Sequence, residues 1–125
     1  CYFWQKSHIL NFLEYRLNQI LNKFNNPEKI LVYGAGLTGK NLVDALIQKN
    51  KKELAIVDTY LGGKKEFYKN YEILIPEKNN VTESELILVS TPDYFVYDTI
   101  KKYLINEFNV DKQKIIGIYQ GKIKL

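Results

Sequence analysis

The stretch Gly34-Ala35-Gly36-Leu37-Thr38-Gly39-Lys40-Asn41 follows directly on the apolar run "KILVY", and no other part of the chain restricts its fold as strongly. Glycines this closely spaced permit a turn too tight for side chains. A helix begun there points its free N–H groups, and the positive end of its dipole, at whatever lies over the turn. "KILVY" has the character of a short strand buried on both faces, and Leu37–Gln48 that of a helix with Leu42, Val43, Leu46 and Ile47 on one side.

The same alternation continues along the chain. "LAIVD" (54–58), "YEILI" (71–75, ended by Pro76), "ELILVS" (85–90) and "KIIGIY" (114–119) read as further strands. Pro92 to Phe108 reads as a helix with Tyr97, Ile100, Leu104 and Phe108 aligned. Continuous Val/Ile/Leu strands alternating with helices predict a parallel sheet covered on both faces, an α/β Rossmann-like sandwich of about five strands. Right-handed crossovers, with the winding reversed after the third strand, predict the order 3-2-1-4-5. Ahead of this unit, Ile9, Leu10, Leu13, Leu17, Ile20, Leu21 and Phe24 recur at helical spacing from about Ser7 to Phe24, and "NNPEK" breaks that helix. The expected organisation is an N-terminal amphipathic helix, 1–27, followed by the Rossmann-like domain, 28–125.

Composition narrows the class of protein. A chain of 125 residues, 46% apolar and 26% charged, is one domain able to bury a core without disulfides. The lone Cys1 allows no internal disulfide, so a reducing, cytoplasmic compartment is expected, with the cytoplasmic side of a membrane-associated parent as the alternative. The chain contains no Met, which suggests a piece of a longer protein. The net charge of +4 comes from scattered lysine pairs (51/52, 64/65, 101/102, 112/114, 122/124), mostly beside Glu, Asp or Asn. That distribution suits solvated helix ends and loops, not a stripe following nucleic-acid phosphates.

The glycine turn can be spelled two ways. As G-x-x-x-x-G-K it approaches a P-loop, but the position that needs a magnesium-ligating hydroxyl holds Asn41, and no base-recognition or water-positioning residue is evident. As G-x-G-x-x-G it needs a strand before, a helix after and an acid about twenty residues on, and Asp58 meets the last condition. In that reading Gly34 makes the turn, Gly36 lets the backbone approach a pyrophosphate, and Gly39 lets the helix lie close on the sheet. Asp58 accepts ribose hydroxyls and favours NAD over NADP, a preference that Lys64 and Lys65 soften. A third reading keeps the glycines for packing alone. Ser90, Thr91 and Pro92, at the end of the fourth strand, form the opposite rim, with Thr91 as helix cap and Pro92 at the first helical position.

No catalyst emerges. Tyr97 and Lys101 spell Y-x-x-x-K, but Tyr97 falls on the core face of its helix, and a chain with ten tyrosines produces such matches by chance. The single His8 lies on the leading helix, so neither a histidine acid/base pair nor a zinc site can be assembled.

Taken together, "ILVYGAGLTGKNLVDALIQ", "LAIVDTYLGGKK", "YEILIPE" and "LILVSTPDYF" resemble the small Rossmann-type nucleotide-binding domain attached to bacterial enzymes of sugar-nucleotide and surface-polysaccharide biosynthesis. Gly34, Gly36, Gly39, Asp58, Gly62 and Gly63 with Lys64, and Ile73 match that pattern over about 28–119. The family commonly carries a second acid where this chain has Thr59, and the leading helix is not part of the pattern. The resemblance implies a non-catalytic module for a small-molecule nucleotide, NAD first, linked to a catalytic domain in a longer chain. With the turn and the opposite rim read above, the expected binding residues are Gly34, Ala35, Gly36, Leu37, Thr38, Gly39, Lys40, Asp58, Thr59, Ser90, Thr91 and Pro92. The alternatives are a nucleotide sensor dimerising through the leading helix, whose "CYFW" start would suit such a contact, or a part of a methyltransferase that binds S-adenosylmethionine. A nucleotide sugar is a further candidate ligand.

Overall fold

The computed structural model describes residues 2–120, with side chains from Phe12 onward. His8, Ile9, Leu10, the aromatic start "CYFW", Lys122 and Lys124 therefore lie outside the described side chains. The first helix, α1, spans Tyr2–Lys23. It ends where Asn25 and Asn26 take left-handed φ angles of 57° and 54° ahead of Pro27, a conformation that asparagine tolerates better than most residues. Then come β1 (Lys29–Tyr33), α2 (Leu37–Gln48) and β2 (Glu53–Val57). A short hairpin follows, β3 (Phe67–Tyr68) and β4 (Tyr71–Leu74), and then the helix α3 (Lys78–Glu83). The chain continues through β5 (Leu86–Val89), α4 (Tyr94–Phe108) and β6 (Ile115–Gly117).

The strands form a six-stranded sheet in the order β3-β4-β2-β1-β5-β6. All pairings are parallel except that of β3 with β4. This is the expected Rossmann-like α/β sandwich, and the order differs from the five-strand expectation by its extra edge member, β3. With β3 set aside, the parallel strands run β4-β2-β1-β5-β6, so the winding reverses between β1 and β5.

Strand alternation divides the core into two layers. Ile30 and Val32 of β1, with Leu86 and Leu88 of β5, face α1 and α2, where Leu13, Leu17, Ile20, Leu42, Val43 and Leu46 complete one cluster. Leu31, Tyr33, Ile87 and Val89 face the other way and pack with Val81 of α3 and Leu104 of α4. Because β1 and β5 are buried on both faces, neither strand tolerates a polar residue at any core position, which accounts for their unbroken apolar runs. The described part of α1 belongs to the same core cluster as α2, and Phe12 stacks on Tyr119 at 5.8 Å.

Two local expectations are corrected. The helix after β5 begins at Tyr94, not Pro92, and its cap is Asp93, not Thr91. The Asp93 carboxylate accepts from Phe95 N at 2.8 Å and Val96 N at 3.2 Å, so it satisfies two of the free N–H groups of α4. Thr91 Oγ1 accepts from Asp93 N at 3.1 Å, one step before the cap. Tyr97 is half-buried against the α4-side core, in keeping with a packing role.

Candidate functional site

The three glycines of the turn are held for different reasons. Gly34 has φ of +111°, a conformation costly for other residues, and a Cβ there would overlap Ser90 Oγ. Gly39 lies against the backbone of Gly34. A Cβ on it would collide with the Gly34 carbonyl oxygen and come within 2.8 Å of the carbonyl carbon. Gly36 is unlike both: its φ of −74° is ordinary, and a Cβ there would meet nothing within 4 Å. Gly36 is the N-cap of α2 and offers no side-chain cap, and the first intrahelical bond is Lys40 N to Gly36 O at 2.9 Å. The N–H groups of the first turn therefore receive no capping side chain at the end where the dipole is positive.

Asp58 follows β2 and ties the turn to that strand. Its Oδ2 accepts from Ala35 N at 2.8 Å, and its Oδ1 accepts from Tyr60 N and Leu61 N, each at 2.8 Å. Three of about four acceptor positions on the carboxylate are thus taken by backbone, leaving one on Oδ2. Beside it the Thr59 and Tyr33 hydroxyls pair at 2.9 Å. Burial raises the Tyr33 phenol above its usual range, and the bond to Thr59 offsets this only in part.

The opposite rim is more enclosed. Ser90 is buried, and its hydroxyl lies 3.1 Å from the Tyr33 carbonyl and 3.3 Å from that of Gly34, so it donates into the backbone of the turn. The Thr91 carbonyl accepts from Gln120 Nε2 at 2.9 Å.

These parts enclose a cleft of about 720 Å³ over the C-terminal ends of β1, β2 and β5. Of the residues singled out in the sequence, Gly34, Gly36, Thr38, Asp58, Thr59, Ser90 and Thr91 line it. Ala35 is buried beneath the turn, and Gly39 is packed against Gly34. Leu37 and Pro92 are exposed outside the lining. Lys40 is directed elsewhere, with its Nζ 5.6 Å from the centre of the Tyr68 ring, so it does not take the phosphate-facing position of a P-loop lysine.

The far wall of the cleft escaped the sequence reading. It consists of Phe95, Val96, Thr99, Ile100 and Tyr103 from α4, with Tyr33 and Tyr60 across from them. Phe95 is 80% exposed, with only Tyr94 among the described residues set edge-on against it at 6.0 Å, and Tyr60 is 82% exposed, which is unusual for rings of this size. The signal was present in the sequence: Phe95, Thr99 and Tyr103 recur every four residues, which sets two aromatic rings on one line beside the stripe that packs into the core. Among the described residues no group of three or more His, Cys, Asp or Glu is placed to hold a metal ion. No helix among them is long and apolar enough to cross a membrane.

A search of solved structures gives no significant match. Among curated proteins, UDP-glucuronic acid decarboxylase 3 of Arabidopsis thaliana is 31% identical over a 102-residue alignment that covers 68% of this chain and 29% of that protein. The chain thus spans under a third of the length of that relative. The family described as "C2185-like, N-terminal" matches residues 26–116, from the turn before β1 into β6. That match takes in both the glycine turn and the strand that ends at Asp58, and on its extent the chain belongs to the C2185-like N-terminal domain family.

Proposed function

We propose that the chain is a nucleotide-binding module, with NAD(H) as the leading ligand, belonging to a larger enzyme of sugar-nucleotide or polysaccharide metabolism. The observation that carries this reading is Gly36. Packing requires glycine at 34 and 39, but nothing among the described residues requires it at 36, where the space a Cβ would fill opens at the uncapped start of α2. A pyrophosphate lying there would receive backbone N–H bonds from the first turn of α2 and would exclude any side chain at that position.

In this reading the diphosphate lies over Gly34–Thr38. A ribose hydroxyl takes the remaining acceptor on Asp58 Oδ2, and the base rests against the apolar wall of α4. The cleft volume is in the range of small-molecule sites. The module carries no chemistry of its own; a catalytic domain elsewhere in a longer chain supplies it. The family's definition as an N-terminal domain and the short coverage of the relative both fit a module within a larger protein. A second reading, a nucleotide sugar in the same cleft, is favoured by the relative's name, which refers to a UDP-sugar acid.

The test is a calorimetric titration with NADH, with a UDP-sugar and S-adenosylmethionine in parallel. Saturable NADH binding that is lost in Gly36→Val is the expected result. Saturation by the UDP-sugar alone transfers the site to the second reading. Absence of heat with all three removes the binding function from this domain.

A further inference from the structure

Away from the cleft, a groove of about 810 Å³ runs beside β6, between α1 and α4. Its cations are Arg16 and Lys23 from α1, Lys101 from α4 and Lys112 ahead of β6, and no Asp or Glu lines it. Arg16 is the chain's one arginine. It is half-buried, and among the described residues its guanidinium, with five N–H donors, makes a single long contact of 3.4 Å to the Gln120 carbonyl. The ion pairs among the described residues are Lys49–Glu14, Lys69–Asp44 and Lys102–Asp98, none of which involves these four cations. The stretches 1–11 and 121–125 contain no Asp or Glu, so neither can supply a side-chain carboxylate. Lys23 and Lys101 lie over the rings of Phe24 and Tyr97, each at 5.9 Å. Cation–π attraction holds an ammonium group at the wall without neutralising it.

We infer that this groove is a second anion site, separate from the glycine cleft, that takes a ligand bearing a diphosphate group. A guanidinium fork matches two phosphate oxygens, and the three ammonium groups supply the charge for a second phosphate. One face of β6 is covered at Gly117, where a Cβ would come within 2.6 Å of the Gln120 side chain and 2.8 Å of the Tyr97 ring. The diphosphate arrives either as the inorganic ion or as part of a nucleoside diphosphate, whose base would meet the rings of Tyr94 and Phe24.

The test is an amide NMR titration of the chain with inorganic diphosphate and, separately, with UDP. The amides of Ile116, Gly117 and Gln120 should shift saturably. That response should survive Gly36→Val, weaken about tenfold in Arg16→Gln, and weaken again when salt rises from about 50 to about 300 mM. Tighter binding of UDP identifies the nucleoside diphosphate as the ligand, and equal binding identifies the diphosphate alone. Amides remote from the groove report whether Arg16→Gln remains folded, and Lys101→Gln takes its place if it does not. Shifts confined to Gly34–Lys40, shifts that never saturate, or groove shifts indifferent to both substitutions would overturn the inference.

Discussion

Gly39→Ala and Gly36→Ala add the same methyl group three residues apart, and the structure predicts opposite outcomes. At 39 the new carbon would stand 2.8 Å from the Gly34 carbonyl carbon and closer still to its oxygen, whereas ordinary contact begins at 3.4 Å. The contact with the oxygen sets the displacement, so the first turn of α2 must retreat from β1 by more than about 1 Å. A gap of about 1 Å already forfeits about a quarter to a half of the dispersion energy of each contact it opens. The side chains that follow on α2, Leu42 and Val43, are fully buried and would be dragged along. Overpacking of this kind costs about 1–3 kcal/mol, and the better helix propensity of alanine returns at most about 1 kcal/mol. A net loss near 2 kcal/mol lowers Tm by about 5–10 °C in a domain of this size.

At 36 the methyl group enters open space with an ordinary φ. Reduced freedom of the unfolded chain gains about 0.4–1 kcal/mol, and the poorer N-cap loses a similar amount. Stability should therefore stay within about 0.5 kcal/mol of the parent. Urea and thermal unfolding of both variants, followed by circular dichroism, decide the matter. If Gly36→Ala is as damaging as Gly39→Ala, Gly36 is a packing glycine and the main support for a ligand over the turn is gone. If Gly39→Ala is neutral, the close contact between α2 and the turn has been misread.

Asp58→Ala should cost about 2–3 kcal/mol, because it strands the buried Ala35 N–H and removes two further charge-assisted bonds; chemical denaturation measures it, and a loss below about 0.5 kcal/mol would show the carboxylate to be dispensable to the turn. Asp93→Ala should lower stability by about 1 kcal/mol and Thr91→Ala by clearly less, since Asp93 holds two N–H groups of α4 and Thr91 none. Burial raises the folded-state pKa of Tyr33 and of Tyr119 above 10, so the folded form keeps its proton where the unfolded chain loses it. Their contribution is then complete below pH 10 and lost above it; unfolding midpoints between pH 8 and pH 11 should be level and then fall, less steeply in Tyr33→Phe.

Much of this architecture could be read from residue types alone because its strands are buried on both faces. "ILVY" and "LILV" contain no polar residue to confuse the pattern, and the glycine spacing fixed where β1 turns into α2. The parts that escaped depend on geometry that residue preferences do not record. The β3–β4 hairpin turns through Lys69 at a φ of +52°, where a glycine or asparagine would have signalled it, and β3 is only two residues long. The helix α3 is a single short stretch whose capping box uses Glu77 and Asn80 in place of the usual Ser or Thr with Glu. The cap of α4 was misassigned because Thr91 and Asp93 flank a proline and both are capping types; the carboxylate, reaching two N–H groups, prevails. In the cleft, the glycines and Asp58 were legible, but the triple anchoring of that carboxylate to backbone was not, since no sequence rule counts acceptors. The α4 wall was overlooked because the neighbouring stripe, which packs into the core, already accounted for the helix.

The two margins of the sheet bear on how copies of this domain can meet. On one side β3 is a two-residue strand, and the free side of β4 is occupied by its own loop, with Gly63 N donating to Ile73 O and Ile73 N donating to Glu66 O. On the other side β6 is only three residues long, Ile115–Gly117. Neither margin offers a neighbour a long row of unpaired backbone groups, so the sheet resists growing by edge-to-edge recruitment, the route by which open strands nucleate fibrils. Assemblies that include this domain should therefore join through helix surfaces and charged side chains, whose attachment salt and pH can reverse, and not through shared strands that must be unfolded to come apart.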